Sequence, residues 1–86
     1  MPGRPMTPEA IAAVYGAVLH LDDVRPGDSF FDIGGSSFTA LTLVAKLRAA
    51  SGRMLRLRDV IRDPTPDGLA EVIAALPPSA VGVAHP

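Results

Sequence analysis

Phe30-Phe31-Asp32-Ile33-Gly34-Gly35-Ser36-Ser37-Phe38 is the stretch on which the rest of this 86-residue chain turns. Two adjacent aromatics and an isoleucine can plug into a core, and the paired glycines let the backbone turn sharply. Ser36 and Ser37 then open the longest helix-like run in the sequence. At a helix start, free backbone N–H groups and the positive end of the dipole favour a negative group. A serine hydroxyl there is suited to carrying an attached phosphate. The chemistry suggested is modification of a serine, not catalysis by one.

Downstream, the pattern predicts a helix over about 37–50, some 14 residues and about 21 Å long. Leu41, Leu43, Val44 and Leu47, with Ala40 and Ala45, cover more than one stripe of it. A helix apolar on most sides is either central or offers a surface to a partner. Ser51-Gly52 is its stop, with glycine as the left-handed cap. Leu55 and Leu57 anchor a short connector, 58–62 forms one further helical turn, and Asp63-Pro64-Thr65-Pro66 breaks the chain and restarts it. Leu69, Val72, Ile73 and Leu76 recur at i, i+3, i+4 and i+7, giving a last helix over about 66–76.

Upstream, residues 21–32 carry Asp22-Asp23 and then Arg25-Pro26-Gly27-Asp28, a turn signal that no helix continues through. So long a connection in a small domain is expected to cross the helices, pinned by Val24, Phe30 and Phe31. Before it, Thr7-Pro8-Glu9 is a helix start: a capping hydroxyl, proline at the first position and an acid in the first turn. Ile11, Val14, Tyr15, Val18 and Leu19 form one apolar stripe, which places the first helix at about 8–20 with His20 at its negative end. Residues 1–6 are read as a frayed N-terminus, 7–76 as the domain and 77–86, beginning Pro77-Pro78, as a loose tail. No internal repeat and no strand pair is visible.

Composition narrows the function. A chain this short buries only about 60% of its unfolded surface, and with no tryptophan and 5% aromatics its core must be Leu, Val, Ile and Ala. There is no cysteine, which excludes disulfides, thiolate metal sites and a protein thiol nucleophile. The net charge of −1 argues for neither nucleic acid nor a membrane surface. No apolar run reaches the roughly 20 residues that span a bilayer, and the N-terminus lacks a signal-peptide pattern. The default compartment is the cytoplasm.

The central stretch resembles the attachment motif of carrier proteins, in particular the peptidyl carrier proteins (thiolation domains) of nonribosomal peptide synthesis. That family reads Phe-Phe-(Asp/Glu)-Leu-Gly-Gly-(His/Asp)-Ser-Leu here. The likeness runs from about Thr7 to Leu76 and includes the first loop, Val24-Arg25-Pro26-Gly27-Asp28-Ser29-Phe30-Phe31. It implies an all-α, four-helix carrier-protein bundle with three main helices, a short third helix and a long first loop. It further implies that Ser37 carries phosphopantetheine donated from coenzyme A by a phosphopantetheinyl transferase, with Gly35 and Ser36 beside the attachment point. The arm's thiol would hold an aminoacyl or peptidyl group as a thioester. The protein would then be a non-catalytic, monomeric shuttle. It would meet an adenylation (loading) enzyme and condensation, thioesterase or tailoring enzymes. A chain that starts with Met and ends in a loose tail is expected to be a stand-alone carrier. One departure from the family pattern matters: Ser36 stands in place of His or Asp, which bears on transferase recognition.

Alone, Gly34-Gly35-Ser36-Ser37 reads first as a turn feeding a capped helix; Phe30-Phe31-Asp32 before it and the long apolar helix after it favour the attachment site. Ser36 is then the N-cap or a polar spacer. No Gly-x-Ser-x-Gly elbow, P-loop lysine or metal constellation is present. Phe38, Leu41, Val60 and Ile61 are either core or partner-binding residues, with Phe38 and Ile61 the preferred contacts. Lys46, Arg48, Arg53, Arg56, Arg58 and Arg62 read first as a solvated face and second as a docking patch for an acidic partner. Within the family the alternative is an acyl carrier protein of polyketide or fatty-acid synthesis. It is disfavoured by Gly34-Gly35, by Ser36 and by the near-neutral charge. Outside the family the alternative is an unmodified helical interaction module.

Overall fold

A computed structural model of the chain describes residues 6–78. Within them lie four helices, α1 (Pro8–Leu19), α2 (Ser37–Ser51), α3 (Leu57–Arg62) and α4 (Pro66–Ala75). The architecture is the expected all-α bundle. Residues 1–5 and 79–86, which hold most of the expected tail and His85, lie outside the described residues.

The helix starts are built as their sequences dictate. Thr7 Oγ1 accepts the Ala10 N–H at 3.0 Å ahead of Pro8, and Thr65 Oγ1 accepts the Gly68 N–H at 3.0 Å ahead of Pro66. Each hydroxyl satisfies an N–H that the helix itself cannot. Four ends differ by a residue or so from expectation, among them α4, which stops at Ala75 with Leu76 as its cap in extended backbone. α1 stops at Leu19, because His20 turns into the left-handed region (φ 60°) and caps it. α2 continues through Ser51 to a left-handed Gly52 (φ 69°). Leu57 opens α3 instead of ending the connector.

α1 packs on α2 and α4, and α3 bridges α2 and α4. Ile11, Tyr15, Phe30, Leu43, Leu47, Leu55, Val60, Leu69 and Ile73 form the buried centre. Met6, expected in the frayed N-terminus, packs against that centre. Pro77, expected in the tail, accepts the Met54 N–H through its carbonyl at 2.9 Å, and Pro78 forms an isolated antiparallel bridge with Arg53.

The long first loop crosses the bundle. The Phe30 N–H donates to the Pro64 carbonyl at 3.0 Å, and the Asp67 N–H donates to the Pro26 carbonyl at 3.0 Å, so the loop is laced to the α3–α4 junction at two points. The Tyr15 hydroxyl of α1 donates to the same Pro64 carbonyl. Burial pushes the Tyr15 phenol far above its ordinary range. The Phe30 ring stands edge-on to Tyr15 (centroids 5.1 Å, 82°) and to Phe31 (5.5 Å, 89°), the arrangement aromatic quadrupoles favour. Loop, α1 and the α3–α4 turn are thus fastened around one ring, five residues ahead of Gly35.

Candidate functional site

The turn that delivers the chain to α2 begins at Phe30. The Ile33 N–H reaches the Ser29 carbonyl at 3.2 Å, and the Gly35 N–H returns to the Phe30 carbonyl at 2.9 Å. The two glycines have different reasons to be glycine. Gly34 has φ 115°, which side-chain-bearing residues rarely adopt. Gly35 has no such angle, but a Cβ there would sit 2.3 Å from the Phe30 ring and 2.6 Å from its carbonyl oxygen. Its contribution to the site is clearance.

Ser36 follows in extended backbone (φ −126°, ψ 172°) as the N-cap of α2. Its hydroxyl accepts the Thr39 N–H at 3.2 Å, and Thr39 Oγ1 accepts the Ser36 N–H at 2.8 Å. This is a reciprocal capping box with threonine in the place usually held by Glu or Gln. The Ser-x-x-Thr spacing is the sequence signal for this box, beyond the cap alone. Ser37 comes next, at the first helical position and exposed to solvent. No described residue hydrogen-bonds its hydroxyl. The N–H groups of Ser37 and Phe38 have no carbonyl one turn earlier in the helix, and the first turn of α2 holds no acid that would repel an anion.

On α2 and α3 three large apolar side chains face water: Phe38 at 81% exposure, Leu41 at 55% and Ile61 at 55%. Val60 is not among them. It is fully buried in the core, because consecutive residues point about 100° apart on a helix and α3 turns only one of the pair outward. Of the four candidate partner residues, the structure exposes Phe38, Leu41 and Ile61.

The basic cluster also divides. Arg48 and Arg53 are half-buried, with Arg48 Nη2 donating to the Met54 sulfur at 2.9 Å and Arg53 Nη1 donating to the Leu76 carbonyl at 2.7 Å. Lys46, Arg56, Arg58 and Arg62 are exposed. Among the described residues, no group of His, Cys, Asp or Glu converges as metal ligands would, and no helix is long and apolar enough to cross a membrane.

The comparisons with known proteins agree with this geometry. The family model described as a phosphopantetheine attachment site matches residues 9–73. Surfactin synthase subunit 1 of Bacillus subtilis (strain 168) is 38% identical over 69 residues, covering 80% of this chain and 2% of that protein. A solved nonribosomal PCP domain is 39% identical with a TM-score of 0.68, covering 87% of this chain and 95% of that one. BlmI, a type-II acyl carrier protein from Streptomyces verticillus involved in bleomycin biosynthesis, is 25% identical with a TM-score of 0.74, covering 79% of this chain and 82% of that one. The chain spans a few per cent or less of the length of the first curated synthetases it matches.

Proposed function

The chain belongs to the phosphopantetheine attachment site family, among its peptidyl carrier (thiolation) members, and we propose that Ser37 is the serine that carries the arm. The observation that supports this most is the contrast between two adjacent hydroxyls. That of Ser36 is held in the capping box, whereas that of Ser37 is exposed with no described partner. The site fits a phosphodiester. The Ser37 and Phe38 N–H groups lie at the positive end of α2, and no acid stands in the first turn. Ser37 would give up its hydroxyl proton and form the Oγ–phosphorus bond as the pyrophosphate of coenzyme A breaks, the nucleotide half leaving; a separate phosphopantetheinyl transferase would supply the base. When bound, the arm supplies the thiol that holds an aminoacyl or peptidyl group as a thioester.

This chain's own residues do no bond-making beyond Ser37 Oγ. The loop fastened by Phe30 and Pro64 holds the serine at a fixed place, and Gly34 and Gly35 let the chain reach it. Phe38, Leu41 and Ile61 offer apolar contacts to the transferase, to an adenylation (loading) enzyme and to condensation, thioesterase or tailoring enzymes. Such exposed contacts are few enough to be released, and tethering to an arm raises the cargo's effective concentration at each active site. The reading includes a discrete carrier that works in trans, in the cytoplasm and as a monomer; likeness to BlmI, a type-II acyl carrier protein, supports the first of these. An immunoblot of native cells distinguishes that from a segment of a larger synthetase by size.

The deciding experiment is intact mass after incubation with coenzyme A, magnesium and a broad-specificity transferase. Wild type and Ser36→Ala gain one arm, and Ser37→Ala gains none. No gain in wild type, or a gain that survives Ser37→Ala, refutes the assignment.

A further inference from the structure

The carrier reading leaves the charge of the docking face unexplained. Between Asp32 and Asp59 the chain has no acidic residue at all, although its overall net charge is −1. The exposed cations of this region, Lys46, Arg56, Arg58 and Arg62, are therefore concentrated on α2, α3 and the connector between them rather than spread over a basic protein. Asp59, the acid that follows, is engaged at the start of α3: its Oδ2 accepts the Arg56 N–H at 2.9 Å. Arg58 and Arg62 are four residues apart and share a helix face. With Ile61 they line one open surface cavity.

We propose that the α3 end of this face recognises an acidic protein surface, in which carboxylates flank an apolar socket that receives Ile61. The proposal rests on the carrier reading and adds the chemistry of the partner. Two guanidinium groups beside an exposed aliphatic side chain match a socket edged by Asp or Glu, since each arginine can pair bidentately with a carboxylate. Nucleic acid fits less well. Leu41 and Ile61 offer nothing to phosphates, and Phe38 is the one strongly exposed aromatic among the described residues, short of the repeated stacking surfaces that single strands use.

The test titrates the full-length, isotope-labelled chain by NMR with an amphipathic helical peptide whose leucine stripe is flanked by Glu. A peptide with Gln at those positions and a 20-base-pair DNA duplex serve as controls. The Glu peptide shifts the amides of Arg58, Ile61 and Arg62, and binds about tenfold more weakly in 200 mM than in 20 mM salt. It also binds about tenfold more weakly to Arg58→Glu/Arg62→Glu. Equal binding of the Gln peptide, no shift with the Glu peptide, or a stronger response to DNA overturns the proposal. The peptide exchange leaves the protein untouched, so misfolding of the double variant cannot imitate the result. Mass gain at Ser37 in wild type, read separately, reports on the carrier assignment alone.

Discussion

Replacing Gly35 by alanine tests the central claim that the attachment turn is held in place by its closeness to a core ring. The new methyl group would begin 2.3 Å from two carbons of the Phe30 ring and 2.6 Å from the Phe30 carbonyl oxygen. Neither can retreat cheaply. The ring is fully buried and wedged edge-on against Tyr15, and the carbonyl already accepts the Gly35 N–H at 2.9 Å. Overpacking of this kind costs about 1–3 kcal/mol. If the turn backs away to relieve it, loss of the Gly35–Phe30 hydrogen bond adds about 1 kcal/mol. The stiffer unfolded chain returns about 0.5 kcal/mol. The net expectation is a loss of about 2–3 kcal/mol, which for a domain of this size lowers Tm by about 10–20 °C.

Urea and thermal unfolding followed by circular dichroism measure this directly, and a double-mutant cycle identifies the cause. If the clash is with the ring, Phe30→Leu makes room, and Gly35→Ala costs less in that background than in wild type; residues in contact show such coupling. Gly34→Ala is the control. Its Cβ would meet nothing within 4 Å, so its penalty comes from φ 115° alone and adds to that of Phe30→Leu. A loss below about 0.5 kcal/mol for Gly35→Ala, or strict additivity with Phe30→Leu, refutes the reasoning.

Three further outcomes are expected. His20→Gly stabilises the domain by about 1 kcal/mol, because His20 holds φ 60° at the end of α1 where glycine is unstrained; chemical denaturation reads it. Tyr15→Phe costs about 1 kcal/mol, since the Pro64 carbonyl keeps the Phe30 N–H when the phenol leaves. Burial raises the Tyr15 pKa above its ordinary 10.0, so its contribution is complete below that pH and is lost as pH rises beyond it. Tyr15 is the chain's one tyrosine, and the variant therefore has the flatter alkaline limb in a stability–pH profile. Thr39→Val removes the reciprocal partner of Ser36, costs about 1 kcal/mol, and speeds amide exchange at Ser36 and in the first turn of α2.

What the sequence made legible was whatever a side chain announces locally. Thr7-Pro8 and Thr65-Pro66 are capping signals that act within four residues, and both caps form as read. The stripes of α1 and α4 are long enough to fix which face is buried. α3 is not: six residues give under two turns, too short a window to phase, so Val60 and Ile61 looked equivalent until packing buried one and exposed the other. The Pro64 carbonyl was invisible for another reason. It joins α1, the first loop and the α3–α4 turn through a backbone oxygen, an atom that every residue supplies. Gly35 was legible as a glycine but not as a clearance, because the ring it admits is placed by contacts made elsewhere.

The fold distinguishes Ser36 from Ser37 where the residues alone do not. The hydroxyls are identical in the sequence, and spacing by resemblance alone chose the second. In the fold they are in different states. Esterifying Ser36 would take from α2 the acceptor of its Thr39 N–H, a cap worth about 1 kcal/mol, and would disturb the Ser36–Thr39 pair on both sides. Esterifying Ser37 breaks no described hydrogen bond and puts the phosphate where the helix N-terminus favours it. Ser at position 36, where the family pattern has His or Asp, therefore keeps the capping role while removing a charged or ionisable neighbour from the hydroxyl proposed for modification. On the proposed assignment it alters what a transferase would meet beside Ser37 without altering how the turn presents it. Comparing Ser36→Asp with wild type separates the two roles: the cap is kept, so stability stays within about 0.5 kcal/mol, and any change in modification rate belongs to recognition.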